Sequence, residues 1–285
     1  MLTVLESLKL STTFLENKGI ESARMNAELL LSHILECKRL DLYLRFDQPL
    51  KPNETNIYRE YISRRGNFEP FQYIVGEVEF YGLKFFVDKN VLIPRQETEI
   101  LIETILENTS KTNELKILDI GSGSGNIPIS LAVNLPLSKV ISIDISAEAI
   151  SVAEKNRELH DLKSRIGFIK ADILINNLEK YNNTLDIIVS NPPYVNKDEF
   201  STLQKEILNF EPEIAVTDFS DGLTFYKVIS EKSKSLLKEN GMLFFEVGQG
   251  QAEDVQSIMM KNGFKNIEII KDLDRIERVV VGTNK

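Results

Sequence analysis

The sequence predicts an α/β protein: a seven-stranded, mostly parallel sheet whose last strand runs antiparallel, preceded by a small N-terminal helical domain and a β-hairpin linker. Three observations carry that prediction. From residue 116 onward, short β-rich runs alternate with helical segments, the pattern that builds parallel sheets through crossover helices. The last two β-rich runs are separated only by residues 272–277, too few for a crossover, so the final strand reverses direction. Residues 2–65 instead repeat apolar side chains at helical spacing. The chain has 285 residues, enough for about two domains at roughly 150 residues each. The expected bounds are 1–75 for the helical domain, 76–93 for the hairpin and 94–285 for the α/β domain.

Within the helical part, Leu2, Leu5 and Leu8 begin one stripe, and Ala27, Leu30, Leu31 and Ile34 make a second behind the N-cap candidate Ser22. Ile57, Tyr58, Tyr61 and Ile62 make a third, after Pro52. Val78 and Phe80, then Leu83 and Phe85, flank Tyr81-Gly82 and read as two short strands around a tight turn. A helix starts near Glu97, because Glu97 and Glu99 suit the positive end of its dipole and Ile100, Leu101, Ile105 and Leu106 give it an apolar face. Strands are expected at 116–120, 140–145, 166–171, 185–190, 242–247, 267–271 and 278–281. Helices at 127–134, 147–160, 173–180 and 223–239 supply the crossovers between the first five, which are therefore parallel with helices on both faces.

Composition narrows the function. With 34 Lys+Arg against 43 Asp+Glu the net charge is -9, which argues against affinity drawn from neutralising nucleic-acid phosphates. The acidity lies in the second half: residues 1–90 hold 12 Lys+Arg and 13 Asp+Glu, the remainder 22 and 30. A single cysteine, Cys37, excludes an internal disulfide framework and a cysteine-based zinc site, and His33 and His160 are too few for a histidine-rich metal centre. No metal is expected. The N-terminal stretch carries Glu6 and no small-residue cleavage site, and no apolar run is long enough for a membrane span. The expectation is a soluble, cytoplasmic monomer with no membrane partner. Lys232, Lys234 and Lys238 read as the solvated face of a helix.

The segment from Lys116 to Asn126 is an apolar strand running into Gly121, Gly123 and Gly125 at alternate positions, with Ser122 and Ser124 between them. Glycine permits the backbone angles and close ligand approach that such a turn requires. A dinucleotide fingerprint would need glycine at 126, where Asn126 stands, so NAD is disfavoured. The loop resembles that of S-adenosylmethionine-dependent methyltransferases. Asp144, 19 residues past Gly125 at the end of the second strand, can accept hydrogen bonds from ribose hydroxyls or cap the following helix, as Ser146 also can. Asp172, ending the third strand, can accept from an adenine amine, with Ile173 packing on the ring, or cap its own helix. Three strand ends meet at one crevice, where open α/β sheets bind ligands.

After the fourth strand comes Asn191-Pro192-Pro193-Tyr194. Two prolines make a stiff loop beside a planar amide and an aromatic. An amide or arylamine nitrogen is a poor nucleophile because its lone pair is delocalised. If the Asn191 oxygen and the Pro192 carbonyl each accept one of its N–H groups, the lone pair is aimed at a sulfonium methyl while Tyr194 stacks on the flat group; the acceleration is then orientation and preorganisation. The acceptors so indicated are a glutamine amide or the amines of adenine and cytosine.

Across residues 22–280 the chain resembles the bacterial release factor glutamine methyltransferases, the PrmC/HemK family. Beyond the two loops, the similar stretches are 22–28, Arg64-Arg65 with Glu69-Pro70, Gly76 with Phe80, Leu92 to Arg95, Phe210 to Pro212, Gly222-Leu223 and Glu277-Arg278. The resemblance implies a Rossmann-like seven-stranded methyltransferase sheet and an N-terminal domain that recognises substrate. It implies S-adenosyl-L-methionine as cofactor and methylation of the glutamine in the Gly-Gly-Gln motif of class 1 peptide-chain release factors, the protein partner. Gly121, Ser122, Gly123, Ser124, Gly125, Asp144, Asp172, Ile173 and Asn191 would bind the cofactor. Asn191, Pro192, Pro193 and Tyr194 would hold the glutamine, with Asn191, Pro192 and Tyr194 catalytic. Two departures are visible: Ile173 stands where some members carry an aromatic, and Pro94-Arg-Gln-Glu97 stands where Pro-Arg-Pro-Asp is common. Arg95 is left between a cofactor carboxylate and Glu99 as partner, and Glu246 between a place at the crevice edge and a structural role. The rival readings are an amino-methyltransferase acting on DNA or RNA, without direct support from charge, and a non-catalytic binding module.

Overall fold

The computed structural model describes residues 1–285. The chain forms two compact units: Met1–Glu77 together with Gln204–Phe210, and Val78–Leu203 together with Glu211–Lys285.

The first unit is helical: α1 (Val4–Asn17), α2 (Ala23–Ile34), α3 (Asp41–Leu44), α4 (Pro52–Gly66) and α5 (Phe71–Val75). α1 opens with a reciprocal cap in which Glu6 N donates to Thr3 Oγ1 (3.2 Å) and Thr3 N to Glu6 Oε2 (2.9 Å), satisfying two otherwise unpaired donors. The predicted stripes converge on Val4, Leu15, Ala27, Leu30, Leu31, Leu42, Tyr58 and Ile62. Ser22 is not the cap the sequence suggested: its backbone is left-handed (φ 50°) and its side chain caps nothing, while Asn26 Nδ2 donates to its carbonyl (3.2 Å). Buried Glu28 gathers Arg24 Nε (2.9 Å) and the Tyr43 hydroxyl (2.7 Å). Buried Arg65 donates to Asn26 (2.8 Å) and to Glu206 (2.9 Å) in the returning segment, so each buried charge has its partner.

In the hairpin, β1 (Glu77–Phe80) and β2 (Leu83–Phe86) turn at Tyr81-Gly82, both at positive φ, the geometry that matches strand twist. It is more than a tether, because Phe80 and Phe85 enter the core of the second unit. α6 (Glu97–Glu107) begins where its acidic first turn predicted. Then follow β3 (Lys116–Ile120), α7 (Asn126–Asn134), β4 (Lys139–Asp144), α8 (Ala147–Leu159), β5 (Ile166–Lys170) and β6 (Leu185–Ser190). Three short helices, α9 (Lys197–Phe200), α10 (Lys205–Phe210) and α11 (Glu213–Val216), precede α12 (Thr224–Leu236), β7 (Leu237–Glu246), α13 (Ala252–Lys261), β8 (Phe264–Lys271) and β9 (Glu277–Asn284). No helix is long and apolar enough to cross a membrane.

The sheet order is β5-β4-β3-β6-β7-β9-β8, and only β9 runs antiparallel to its neighbours. The chain moves outward from β3 through β4 to β5, then returns to β6 on the other side of β3, so the switch point lies at the carboxyl ends of β3 and β6.

Two further expectations need correction, and one element is new. Residues 173–180 are not a helix; a 3-10 turn, Glu179–Tyr181, is all that forms. The reason is local competition: Asp172 Oδ1 accepts from Leu174 N (2.8 Å) and Asn176 Oδ1 from Asp172 N (2.7 Å), an alternative to helical bonding. The lysines expected on one solvated helix face are not simply solvated: on α12 Lys232 Nζ donates to Ile173 O (2.7 Å) and Asn176 O (3.0 Å), and Lys238, which lies on β7 and not on the helix, meets Asp186 Oδ1 through its Nζ at 2.6 Å. α13, with Ala252, Val255 and Met259 buried on one face, is an element the sequence reading passed over.

Candidate active site

A cavity of about 310 Å³ opens at the switch point. Of the residues singled out from sequence, Gly121, Ser122, Gly123, Ser124, Asp144, Asp172, Ile173, Asn191, Pro192 and Pro193 line it; Gly125 and Tyr194 do not.

Gly121, Gly123 and Gly125 all adopt positive φ (91°, 51° and 83°), so the alternate spacing of glycines is a conformational requirement. Gly121 N and Ser122 N both donate to Ile143 O (2.9 and 3.1 Å), stitching the loop to the end of β4. Gly125 has a packing duty as the left-handed N-cap of α7, where a Cβ would lie 3.1 Å from Ile129 and 3.2 Å from Ala153. Beneath the loop, Ser142 Oγ donates to Asp119 Oδ2 and lies 2.5 Å from Ser122 Oγ. Asp119 is fully buried, and that burial pushes its carboxyl up to about 8 against the Ser142 hydrogen bond.

Asp144 does two jobs. Its Oδ2 accepts from Gly123 N and its Oδ1 from Ser146 N, both at 2.9 Å. Burial raises its pKa, opposed by those two N–H groups. The helix cap itself is Ser146, whose hydroxyl accepts from Ala149 N (3.0 Å), so Asp144 is free of that duty. Asp172 offers its remaining oxygen beside Ile173, and the carbonyls of this loop are tied down by Lys232. Ile127, Ile145 and Leu174 complete an apolar lining around these few polar groups, a composition suited to a nucleoside.

Across the cavity, Asn191 Nδ2 donates to Thr98 Oγ1 on α6 (3.2 Å). Pro193 biases Pro192 towards extended backbone, as a proline does for the residue before it. Tyr194 packs behind the loop: Gln251 Nε2 donates to its carbonyl (2.9 Å), and its ring lies so close to Gly248 that a Cβ there would stand 2.9 Å from Cδ2. Gly222 approaches the Tyr194 carbonyl just as tightly, a Cβ there falling 2.4 Å away. Burial, and next the charge of Glu246, push the Tyr194 hydroxyl up to about 12. Arg95 lines the cavity, and Glu99, one of the partners the sequence suggested, is not the residue it pairs with. Its guanidinium meets Glu211 Oε1 at 2.5 Å, while Glu99 accepts from Tyr81 N. Glu211 Oε2 also accepts from Ile93 N (3.3 Å), which links two of the stretches noted in the sequence, 92–95 and 210–212. Glu246 is buried, and that burial raises its carboxyl to about 7, opposed chiefly by a hydrogen bond from Thr98.

The sequence reading missed Thr98, Glu211, Gln251 and Lys232 as supports. None sits in a motif of its own, and each acts across a long stretch of chain; the buried-charge rule alone could have flagged Glu211, since an acidic residue inside Phe210-Glu211-Pro212 needs a cation.

Residues 6–76 match the family model described as the PrmC N-terminal domain, and residues 111–275 match a methyltransferase domain. The chain is 38% identical over 282 residues to the release factor glutamine methyltransferase of Chlorobaculum tepidum, covering 97% of this chain and 95% of that one. It is 40% identical over 272 residues to the protein of the same name from Fusobacterium nucleatum, covering 95% and 76%. In three dimensions it is similar to a methyltransferase from Pyrococcus furiosus, with a TM-score of 0.52 at 17% identity over 72% of this chain and 90% of that one.

Proposed function

The chain belongs to the family of release factor glutamine methyltransferases, and from that premise we propose that it methylates the side-chain amide nitrogen of the glutamine in the Gly-Gly-Gln motif of class 1 peptide-chain release factors. The methyl donor is S-adenosyl-L-methionine, which supplies, when bound, a methyl group on an electrophilic sulfonium. The residues present fit that cofactor: a positive-φ glycine loop, a carboxylate at the end of β4 with lone pairs to spare, and an apolar lining around Ile173. The glycine loop Gly121 to Gly125 would hold the amino-carboxylate end, Asp144 the ribose, and Asp172 with Ile173 the adenine.

The single observation that carries the acceptor assignment is the commitment of Asn191. Its nitrogen donates to Thr98, so its oxygen is the end left to accept an N–H. With the Pro192 carbonyl accepting the second N–H, an incoming amide is held in one plane with its nitrogen facing the donor methyl. Tyr194, wedged between Gly222 and Gly248, fixes the loop from behind. No strong base is required, because the amide N–H becomes acidic once the nitrogen is alkylated and is released to water. The helical unit would read the rest of the release factor, which a cavity of this size does not reach.

The test is incubation with labelled S-adenosylmethionine and an intact release factor, followed by mass spectrometry of a digest. One methyl on the Gly-Gly-Gln glutamine is expected. Label on another residue, or only on nucleic acid supplied in parallel, overturns the assignment.

A further inference from the structure

We propose that Phe219 and Ile214 form an apolar lip on the acceptor side of the cavity, against which the glycine pair next to the target glutamine lies. The occupant so named rests on the methyl-transfer reading above.

Phe219 holds a backbone angle that its side chain disfavours, φ 58°. The left-handed region suits glycine and asparagine, but for a bulky aromatic it is an outlier, because the Cβ crowds the following carbonyl oxygen. Two other aromatics share the angle, and both have a core to pack on. Phe68 lies against the helical core, and Tyr81 against the core that Phe80 and Phe85 enter. Phe219 belongs to none of the three apolar cores and is 50% exposed. It lines the cavity instead, as does Ile214, which is 49% exposed. Neither packing nor backbone preference accounts for an aromatic at this point, and strain of this kind gathers where a ligand is held.

The strained turn is firmly braced. Thr217 Oγ1 accepts from Phe219 N (3.1 Å), Asp218 Oδ1 from Ser220 N (2.9 Å) and Gly222 N (3.0 Å), and Asp218 Oδ2 from Thr224 N (3.0 Å). Four backbone donors are satisfied this way around Phe219, so the ring is presented by a preorganised loop and little ordering remains to be done on binding.

The segment also stands on the acceptor side. Val195 N donates to Val216 O (3.0 Å) and Lys197 N to Ser220 O (3.1 Å), and Val195 bridges Thr217 in parallel register. Residues 216–220 therefore run beside the chain that leaves Tyr194, whereas the glycine loop is stitched to the end of β4. An apolar lip in this place suits a segment without side chains. Glycine lets a backbone come close to an aromatic face, so the ring can cover peptide planes and Cα–H groups. A bulkier residue beside the glutamine would hold its amide away from Asn191.

The experiment compares Phe219→Gly and Phe219→Tyr with wild type in the full chain, using an intact release factor and a variant factor with alanine for the glycine beside the glutamine. Phe219→Gly is expected to raise the KM for release factor about tenfold, as truncation of an aromatic contact does, with kcat and the cofactor Kd by calorimetry changed less than about threefold. Its thermal midpoint should be no lower than that of wild type, because glycine meets no steric penalty at this angle. Phe219→Tyr keeps the wild-type KM. The alanine factor should raise KM for the wild type about tenfold and for Phe219→Gly less than about threefold, since the space left by the ring takes up the extra methyl. An unchanged KM in Phe219→Gly, a rise in the cofactor Kd that matches the rise in KM, or full and independent effects of the two substitutions overturns the lip while leaving methyl transfer by the wild type in place. A wild type that transfers no methyl to release factor removes the occupant, and the reading and the lip then fall together.

Discussion

The glycine loop and the Asn191–Tyr194 loop face each other across one cavity, yet they are held by different means. In the first, Gly121 N and Ser122 N donate to Ile143 O and Gly123 N to Asp144 Oδ2, contacts with the adjoining strand that backbone geometry dictates. In the second, the fixed points are Thr98, 93 residues away, and Gln251, 57 residues away, with Gly222 and Gly248 making room for Tyr194. A loop positioned by its own strand neighbours tolerates change elsewhere. One positioned by distant side chains concentrates its sensitivity in residues that touch no ligand. Substitutions at the two loops should therefore divide between cofactor affinity and turnover.

The largest separation is expected at the acceptor side. Asn191→Ala removes the acceptor aimed into the cavity and should lower methyl transfer to release factor by at least about a hundredfold, with cofactor affinity by calorimetry within about threefold of wild type. Comparable losses in both would dissolve the division between the loops. Asp144→Asn probes the opposite side. It keeps one acceptor and loses the other together with the charge, so the cofactor Kd should rise about tenfold to hundredfold, or about 1.4 to 2.8 kcal/mol. At saturating cofactor kcat should be nearly unchanged, and a matching fall in kcat would break the comparison from this side.

The same contrast explains what the sequence made legible. Parallel strands, their crossovers and the final reversal follow from run lengths and connection lengths, which is why 116–120 and 185–190 were read to the residue. The glycine loop was legible because positive φ leaves a compositional mark. Residues 173–180 were misread because apolar periodicity does not reveal that Asp172 and Asn176 fold back onto the backbone. Glu211 as the partner of Arg95, in place of Glu99, is not legible in the sequence because it lies 116 residues away, a distance across which sequence spacing carries no geometry. The packing duty of Gly125, where a Cβ would press on Ile129 and Ala153, leaves no separate mark in the sequence. What stayed hidden was the long-range support of the acceptor loop.

That support includes an ion pair whose two ends are unequally buried. The Glu211 side chain is 2% exposed and that of Arg95 33%. Removing Arg95 strands a buried carboxylate, whereas removing the charge of Glu211 leaves a guanidinium that water can reach. Arg95→Ala should thus destabilise the ligand-free protein by about 2 to 4 kcal/mol and Glu211→Gln by about 1 to 2 kcal/mol, measured by urea denaturation. Equal effects, or the reverse order, would mean that the pair is more hydrated than its burial indicates.

The smallest effect comes from beneath the glycine loop and appears as a dependence on pH. Burial pushes Asp119 from 3.8 up to about 8, with the charge of Asp144 adding to the rise and Ser142 opposing it, and burial pushes Glu246 from 4.5 up to about 7. Both folded values lie above the unfolded ones. Folding therefore takes up protons in the interval between, and stability falls as pH rises, by at most about 1.4 kcal/mol per pH unit for each group. Carboxylates held low by their partners, such as Glu28 and Asp218, contribute stability that is lost only on acidification below the ordinary carboxylate range, so above it the trend is set by the raised acids, Asp119 and Glu246 together with Asp144. Asp119→Asn preserves an acceptor for Ser142 and removes the titration, so its stability by denaturant unfolding should decline less than that of the wild type over this window. The two slopes should differ by on the order of 1 kcal/mol per pH unit, and the curves should run parallel above about pH 8, where Asp119 is ionised in both states. An identical decline in the two proteins would show that Asp119 keeps an ordinary carboxylate behaviour. The glycine loop would then rest on a charged base, and its contrast with the acceptor loop would lie in chain distance alone.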